Sequence, residues 1–223
     1  MKHLSSYIDH TFLKATATKL DIIKLCEEAK KYKFYSVCVN SCYVSLAKSI
    51  VKDSTVKVCA VIGFPLGAMH TFSKVYEAKQ ALFDGADEID MVINVGFLKN
   101  KDFDAVSKEI LEVKKCMPNN ILKVILETCY LEEVEIIKAS EIVIKSGADF
   151  IKTSTGFGTG GATLHNVKLM KHIANNHCKI KASGGIKDFK TAIEFINAGA
   201  DRLGTSSGIA IVTGKKINQD KDY

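Results

Sequence analysis

G-A-D-F-I-K-T-S-T at 147–155 is the stretch on which the reading of this chain turns. Gly-Ala-Asp follows a helical pattern, Phe150 and Ile151 open an apolar run, and Lys152 interrupts that run with a charge. The same tripeptide recurs at 85–87 and 199–201, each time between a helical segment and a strand-like run. The glycine suits the left-handed position that closes a helix, and the residues after it begin the next strand. Three residues beyond each aspartate stand Asp90, Lys152 and Gly204. One structural offset thus presents a carboxylate, an amine and a glycine from three different strands.

Working outward, short apolar runs alternate with longer amphipathic ones along the whole chain. Strands are expected at 6–9, 35–39, 56–62, 88–93, 122–127, 150–154, 179–183 and 202–205. Helices are expected near 18–31, 42–51, 71–84, 102–116, 132–146, 163–175 and 188–198, with Val134, Ile137, Ala139, Ile142 and Ile144 marking one apolar face. A short last helix starts near Ser207. Eight strands, each followed by a helix, predict an α/β protein, a single (β/α)₈ TIM barrel over 1–223 with a flexible tail at about 215–223. An open doubly wound sheet is the alternative, but no G-x-G-x-x-G follows the first strand. In a closed barrel alternate side chains of every strand point inward, so Asp90, Lys152 and Gly204 can converge.

Composition bounds the function. The chain has 223 residues, 47% hydrophobic and 25% charged, which is ordinary for a globular protein. Met1-Lys2-His3-Leu4 leads straight into polar residues, and no apolar run approaches a membrane span, so a cytoplasmic protein with no membrane partner is expected. Seven cysteines include no C-x-x-C pair, and several lie in apolar runs, which fits reduced buried thiols. The net charge is +6, yet the lysines alternate with glutamates along helical patterns and Arg202 is the only arginine. That describes a solvated surface rather than a nucleic-acid face, although the field helps to draw in a small anion. A homodimer is left open.

Asp90, Lys152 and Lys181 each interrupt an apolar strand with a charge. Burying an unpaired charge is expensive, so each needs a reason. A structural salt bridge is the plain reading, but two lysines against one aspartate leave a positive excess. The sharper reading is nucleophilic catalysis. A lysine amine attacks carbonyls only when neutral, and a second ammonium nearby, with partial desolvation, disfavours its proton. The iminium it forms is an electron sink that allows a neighbouring carbon–carbon bond to break, with a carboxylate as acid and base. Phosphate-binding chemistry is present as well. Ser183-Gly184-Gly185 and Gly204-Thr205-Ser206-Ser207 follow the seventh and eighth strands, where barrels often hold phosphate, and Gly156 is a candidate third lobe. The six histidines lack metal-ligand spacing, so neither a metal nor another cofactor is expected. Cys38 is a candidate to face the pocket, with a packed thiol as the plain alternative.

Together these segments resemble the deoxyribose-phosphate aldolase family. The resemblance rests on D-H-T-F-L-K at 9–14, V-C-V-N at 37–40, V-I-G-F-P-L-G at 61–67 and G-A-D-E-I-D-M-V-I-N at 85–94. It continues through K-V-I-L-E-T at 123–128, I-K-T-S-T-G-F at 151–157, K-A-S-G-G-I at 181–186 and R-L-G-T-S-S-G at 202–208. It implies metal-free, reversible cleavage of 2-deoxy-D-ribose 5-phosphate to acetaldehyde and D-glyceraldehyde 3-phosphate. By motif, Lys152 matches the Schiff-base lysine, Lys181 the second lysine and Asp90 the acid/base. Asp9 and Thr11 match polar groups near the substrate hydroxyls, and Gly184, Gly185, Gly204, Ser206 and Ser207 match phosphate contacts. The chain also ends in a tyrosine, Tyr223, as some relatives do. Ala15 and Ser41 stand where many relatives carry proline, and Lys187 where some carry arginine. The rivals are another Schiff-base aldolase on the same barrel, a metal-free isomerase, and a silent phosphate- or nucleic-acid-binding module.

Overall fold

The computed structural model describes residues 4–214. Eight parallel strands follow one another in chain order: β1 Ile8–Phe12, β2 Ser36–Asn40, β3 Lys57–Ile62, β4 Glu88–Val92, β5 Ile121–Ile125, β6 Phe150–Lys152, β7 Lys179–Ser183 and β8 Arg202–Thr205. The last pairs with the first, Asp9 opposite Gly204, and the barrel closes. Around it lie α1 Lys19–Tyr32, α2 Val44–Val51, α3 Thr71–Phe83, α4 Val95–Lys99, α5 Phe103–Lys115, α6 Glu133–Lys145, α7 Leu164–Ala174, α8 Phe189–Asn197 and α9 Gly208–Thr213. No described helix is long and apolar enough to cross a membrane. The expected tail and Tyr223 lie outside the described residues.

Strand alternation divides the interior into two unlike parts. On β4, Ile89 and Met91 face outward into one apolar cluster shared with the inner faces of the helices. Glu88 and Asp90, on the other face of the same strand, meet charged partners inside the barrel. The apolar core therefore sits between barrel and helices, while the barrel interior is largely ionic.

Two local expectations change. The first strand begins at Ile8 rather than at residue 6, because Leu4–Tyr7 coil into a 3₁₀ turn. Its polar D-H-T alternation hides a strand whose Asp9 points in and whose His10 packs outward on Phe34 and bonds Glu28 at 2.8 Å. On α6 the buried side is Ile136, Ala139, Ile142 and Val143, whereas Val134 is 66% exposed. The run V-E-I-I offers two apolar phases, and packing on β6 selects the one through Ile136.

The three Gly-Ala-Asp segments form matching latches at the barrel base. The Asp87 N–H donates to the Val58 carbonyl and its carboxylate accepts the Val58 N–H. Asp149 does the same with Leu122, and Asp201 with Ile180. Each carboxylate also takes an ammonium from a preceding helix: Lys48, Lys114 and Lys171 respectively. The glycines hold positive φ, +103° at Gly85, +75° at Gly147 and +109° at Gly199. At Gly199 the missing side chain also makes room, since a Cβ there would lie 2.6 Å from the Lys171 stem.

Candidate active site

Asp90 is fully buried at the centre of the barrel. Its Oδ2 accepts from Lys152 Nζ and from Lys181 Nζ, both at 2.7 Å. Its Oδ1 accepts from Lys123 Nζ at 2.9 Å and from the Cys59 thiol at 3.1 Å. Lys181 also meets Asp9 at 2.5 Å, Asp9 meets Arg202 and the Ser36 hydroxyl, Arg202 meets Glu88 at 3.1 Å, and Glu88 meets Lys123 at 2.5 Å. The path returns to Asp90. Three carboxylates and three cations alternate around a closed ring, and Lys152 hangs from it as a seventh charge-bearing group.

The imbalance inferred from Asp90 and two lysines was therefore drawn from too few partners. Lys123, Glu88 and Arg202 complete the ring, and none was picked out as a site residue from sequence. Glu88 and Arg202 each stand two residues before a chosen position, Asp90 and Gly204, so strand alternation was the available signal. Lys123 lies opposite Asp90 in the strand register.

Electrostatics follow from the ring. Burial alone would raise Asp90, but the ammoniums of Lys123, Lys152 and Lys181 override it and hold the carboxyl well below its usual range. Asp9 is likewise pushed up by burial and pulled below the usual range by Arg202, then Lys181. Burial works to lower Lys181, yet Asp9 and Asp90 outweigh it and keep that amine charged far above its ordinary value. Cys59 is driven up chiefly by burial, while Cys38 is drawn down chiefly by its side-chain contact with Cys59.

Lys152 differs from its neighbours in having a way out. A cavity of about 160 Å³ opens above it, lined also by Thr11, Thr155, Gly156, Gly184, Gly185, Gly204, Ser206 and Ser207. Asp90, Lys181 and Asp9 lie beneath this floor and do not line it. Cys38 is fully buried beside Cys59, packed with Leu13, Val61 and Phe64. Gly204 has a packing role too: a Cβ there would come within 3.1 Å of Lys181 Cε. The glycine at the third copy of the offset clears the path of the second lysine. The two strand-end loops are joined where Ala162 N–H donates to the carbonyls of Ser183 and Gly184. Among the described residues, Cys38, Cys59 and Asp90 bring ligand-type atoms within 4.8 Å of one another. A cation there would face the three ammoniums already on Asp90.

Comparison with known proteins identifies the family and the fold. The model of the DeoC/LacD family of aldolases matches residues 4–214. A deoxyribose-phosphate aldolase of Finegoldia magna is 58% identical over 211 residues, covering 95% of this chain and 99% of its own. The solved structure of the aldolase QR15 superposes with a TM-score of 0.93 at 48% identity, covering 96% of each chain. The deoxyribose phosphate aldolase of Aeropyrum pernix, described as a tetramer, gives 0.88 at 33% identity, covering 94% of this chain and 89% of its own. A family match over every described element, with a curated relative identical at more than half its positions, places the chain in the DeoC/LacD aldolase family.

Proposed function

We propose that this chain is a deoxyribose-phosphate aldolase whose covalent residue is Lys152. The observation that carries the assignment is that Lys152 belongs to the buried ion network and also lines the cavity rimmed by glycine and serine loops. The ring closes with three carboxylates and three cations without it, so Lys152 stands outside the ring, with its amine between Asp90 and the cavity. The neutral amine attacks C1 of the open-chain sugar phosphate, and loss of water leaves the iminium. Asp90, through a water, takes the C3 hydroxyl proton as the C2–C3 bond breaks, releasing D-glyceraldehyde 3-phosphate. The electron pair passes into an enamine on Lys152, which is protonated at C2 and hydrolysed to acetaldehyde. Lys181, held as a cation by Asp9 and Asp90, shares Asp90 Oδ2 with Lys152. Thr11 meets the sugar hydroxyls, while Gly156, the backbone around Gly184, Gly185 and Gly204, and Ser206 and Ser207 hold the phosphate.

Deoxyribose phosphate catabolism in the cytoplasm is part of the same reading, and the free thiols support it. So is a homodimer, supported by an exposed apolar face of α3 where Phe72, Tyr76 and Phe83 are 74%, 72% and 86% exposed. The test of the assignment is acetaldehyde with borohydride, followed by peptide mapping. An ethyl group is expected on Lys152 and none in Lys152→Ala; undiminished labelling of that variant would falsify the assignment. Release of acetaldehyde from the sugar phosphate separates this activity from an isomerase or another aldolase.

A further inference from the structure

Glu127 is a buried carboxylate that the ion ring does not include. It follows β5, is 3% exposed, and sits at φ +55°, a left-handed conformation that is costly for a residue with a side chain. Backbone strain of this kind persists where the surroundings hold it in place, and it clusters at functional sites. The described residues supply Glu127 with no ion pair. Its carboxylate instead accepts the Thr155 N–H at 3.2 Å, the Thr155 hydroxyl, and the Cys129 thiol at 3.8 Å.

The bonds to Thr155 hold the loop that leaves β6, three residues after Lys152, while the Cys129 bond stays within the turn after β5. The Thr155 hydroxyl in turn accepts the Phe157 N–H at 3.0 Å, so Gly156 is pinned between two bonded neighbours. Thr155 and Gly156 both line the cavity above Lys152. The loop also seats directly on the acid. A Cβ on Gly158 would lie 2.7 Å from Cys129 Sγ and 3.2 Å from Glu127 Cδ, so only glycine allows that approach. Glu127 itself stays beneath the loop and outside the cavity lining.

We propose that Glu127 is a positioning residue for substrate binding: it fixes Thr155 and Gly156 as one wall of the pocket, without taking part in the chemistry at Lys152. This rests on the assignment of the pocket above Lys152 as the substrate site. Losing the charge-assisted bonds frees the wall, which weakens binding of the large substrate, while the amine of Lys152 stays on its strand, held by Asp90. A carboxamide keeps one acceptor oxygen for Thr155 and replaces the other by a donor.

The experiment measures KM and kcat for 2-deoxy-D-ribose 5-phosphate alongside the rate of borohydride trapping with acetaldehyde, a probe too small to need the wall. In Glu127→Ala, KM is expected to rise on the order of ten-fold, about what one charge-assisted hydrogen bond is worth, with trapping within two-fold of the parent. Glu127→Gln should recover part of the lost affinity. Thr155→Val, which removes only the hydroxyl, should shift KM the same way by less, and it keeps the idea testable if Glu127→Ala fails to fold. Unchanged KM in these variants overturns the proposal. So does an equal fall in trapping and affinity, or a Gln variant as impaired as Ala, since each marks a merely structural role. If the parent itself gives no trapping at Lys152, the catalytic assignment fails instead, and the two failures are told apart.

Discussion

Lys152 and Lys181 share one oxygen of Asp90, yet their surroundings differ. Lys181 lies between two carboxylates and stays charged, whereas Lys152 has one carboxylate and an open cavity. Lys181→Met removes a fixed cation beside the proposed nucleophile and leaves Asp90 with more unshared negative charge. Both changes favour a proton on the nucleophile, so the acidic limb of kcat/KM should move to higher pH and activity should recover partly in base. Equal inactivity at every pH, with the fold intact, would make Lys181 a direct proton carrier. The legibility of these residues has a simple basis. A charge in mid-strand, as in E-I-D-M-V or F-I-K-T, contradicts its apolar context and is noticed. Glu88 and Arg202 stand at strand starts, where a charge looks ordinary, and only the register turns them inward. Lys123 is in the middle of β5, but an expected strand beginning at residue 122 puts it beside the start, where it draws the same reading. Cys59 passed as a small apolar residue for a similar reason: its contact with Asp90 depends on a neighbour 31 positions away.

Among the elements, strands were easier to find than their ends. Apolar runs bounded by turns located all eight, but β1 was misplaced because its inward face is polar, and α4 was not expected at all. Five residues are too few for a helical period to show, and α4 is started by the Asn94 side chain accepting from Phe97 N–H at 3.1 Å. The Gly-Ala-Asp repeats carried more information than their use as helix stops, since each also latches a helix lysine to the strand before. Two of the glycines permit a clean comparison. Gly147→Ala meets nothing within 4 Å and should cost only the left-handed backbone penalty, about 1–2 kcal/mol. Gly199→Ala adds a 2.6 Å collision with Lys171 at φ +109°, so it should cost distinctly more. Denaturant unfolding would read both, and kcat/KM should be unchanged because the latches lie at the end of the barrel away from the cavity. Equal costs would show that Lys171 moves aside freely.

Across the whole molecule, the ring sets how stability depends on pH. Asp9 and Asp90 are held below the usual carboxylate range, so the stability they contribute is complete above about pH 4. It is lost as pH falls through their lowered values. Lys123 and Lys181 are held above the usual amine range, so their contribution is complete below about pH 10 and is lost only as pH rises through the raised values. Denaturant midpoints should therefore show no loss attributable to the ring between those limits. A steep fall between pH 7 and 5 would mean that the ring is not charged as its geometry implies. The same ring spans the chain from end to end, because Arg202 and Asp9 are 193 positions apart. During synthesis Lys152 leaves the ribosome well before Arg202 does, and until β8 docks on β1 the contacts that fix Asp9, and through it Lys181, are missing. A half-made chain thus carries Lys152 without the closed ring beside it. On the proposed role of Lys152, its surroundings are complete only with the last strand, so barrel closure would also act as a safeguard on the chemistry.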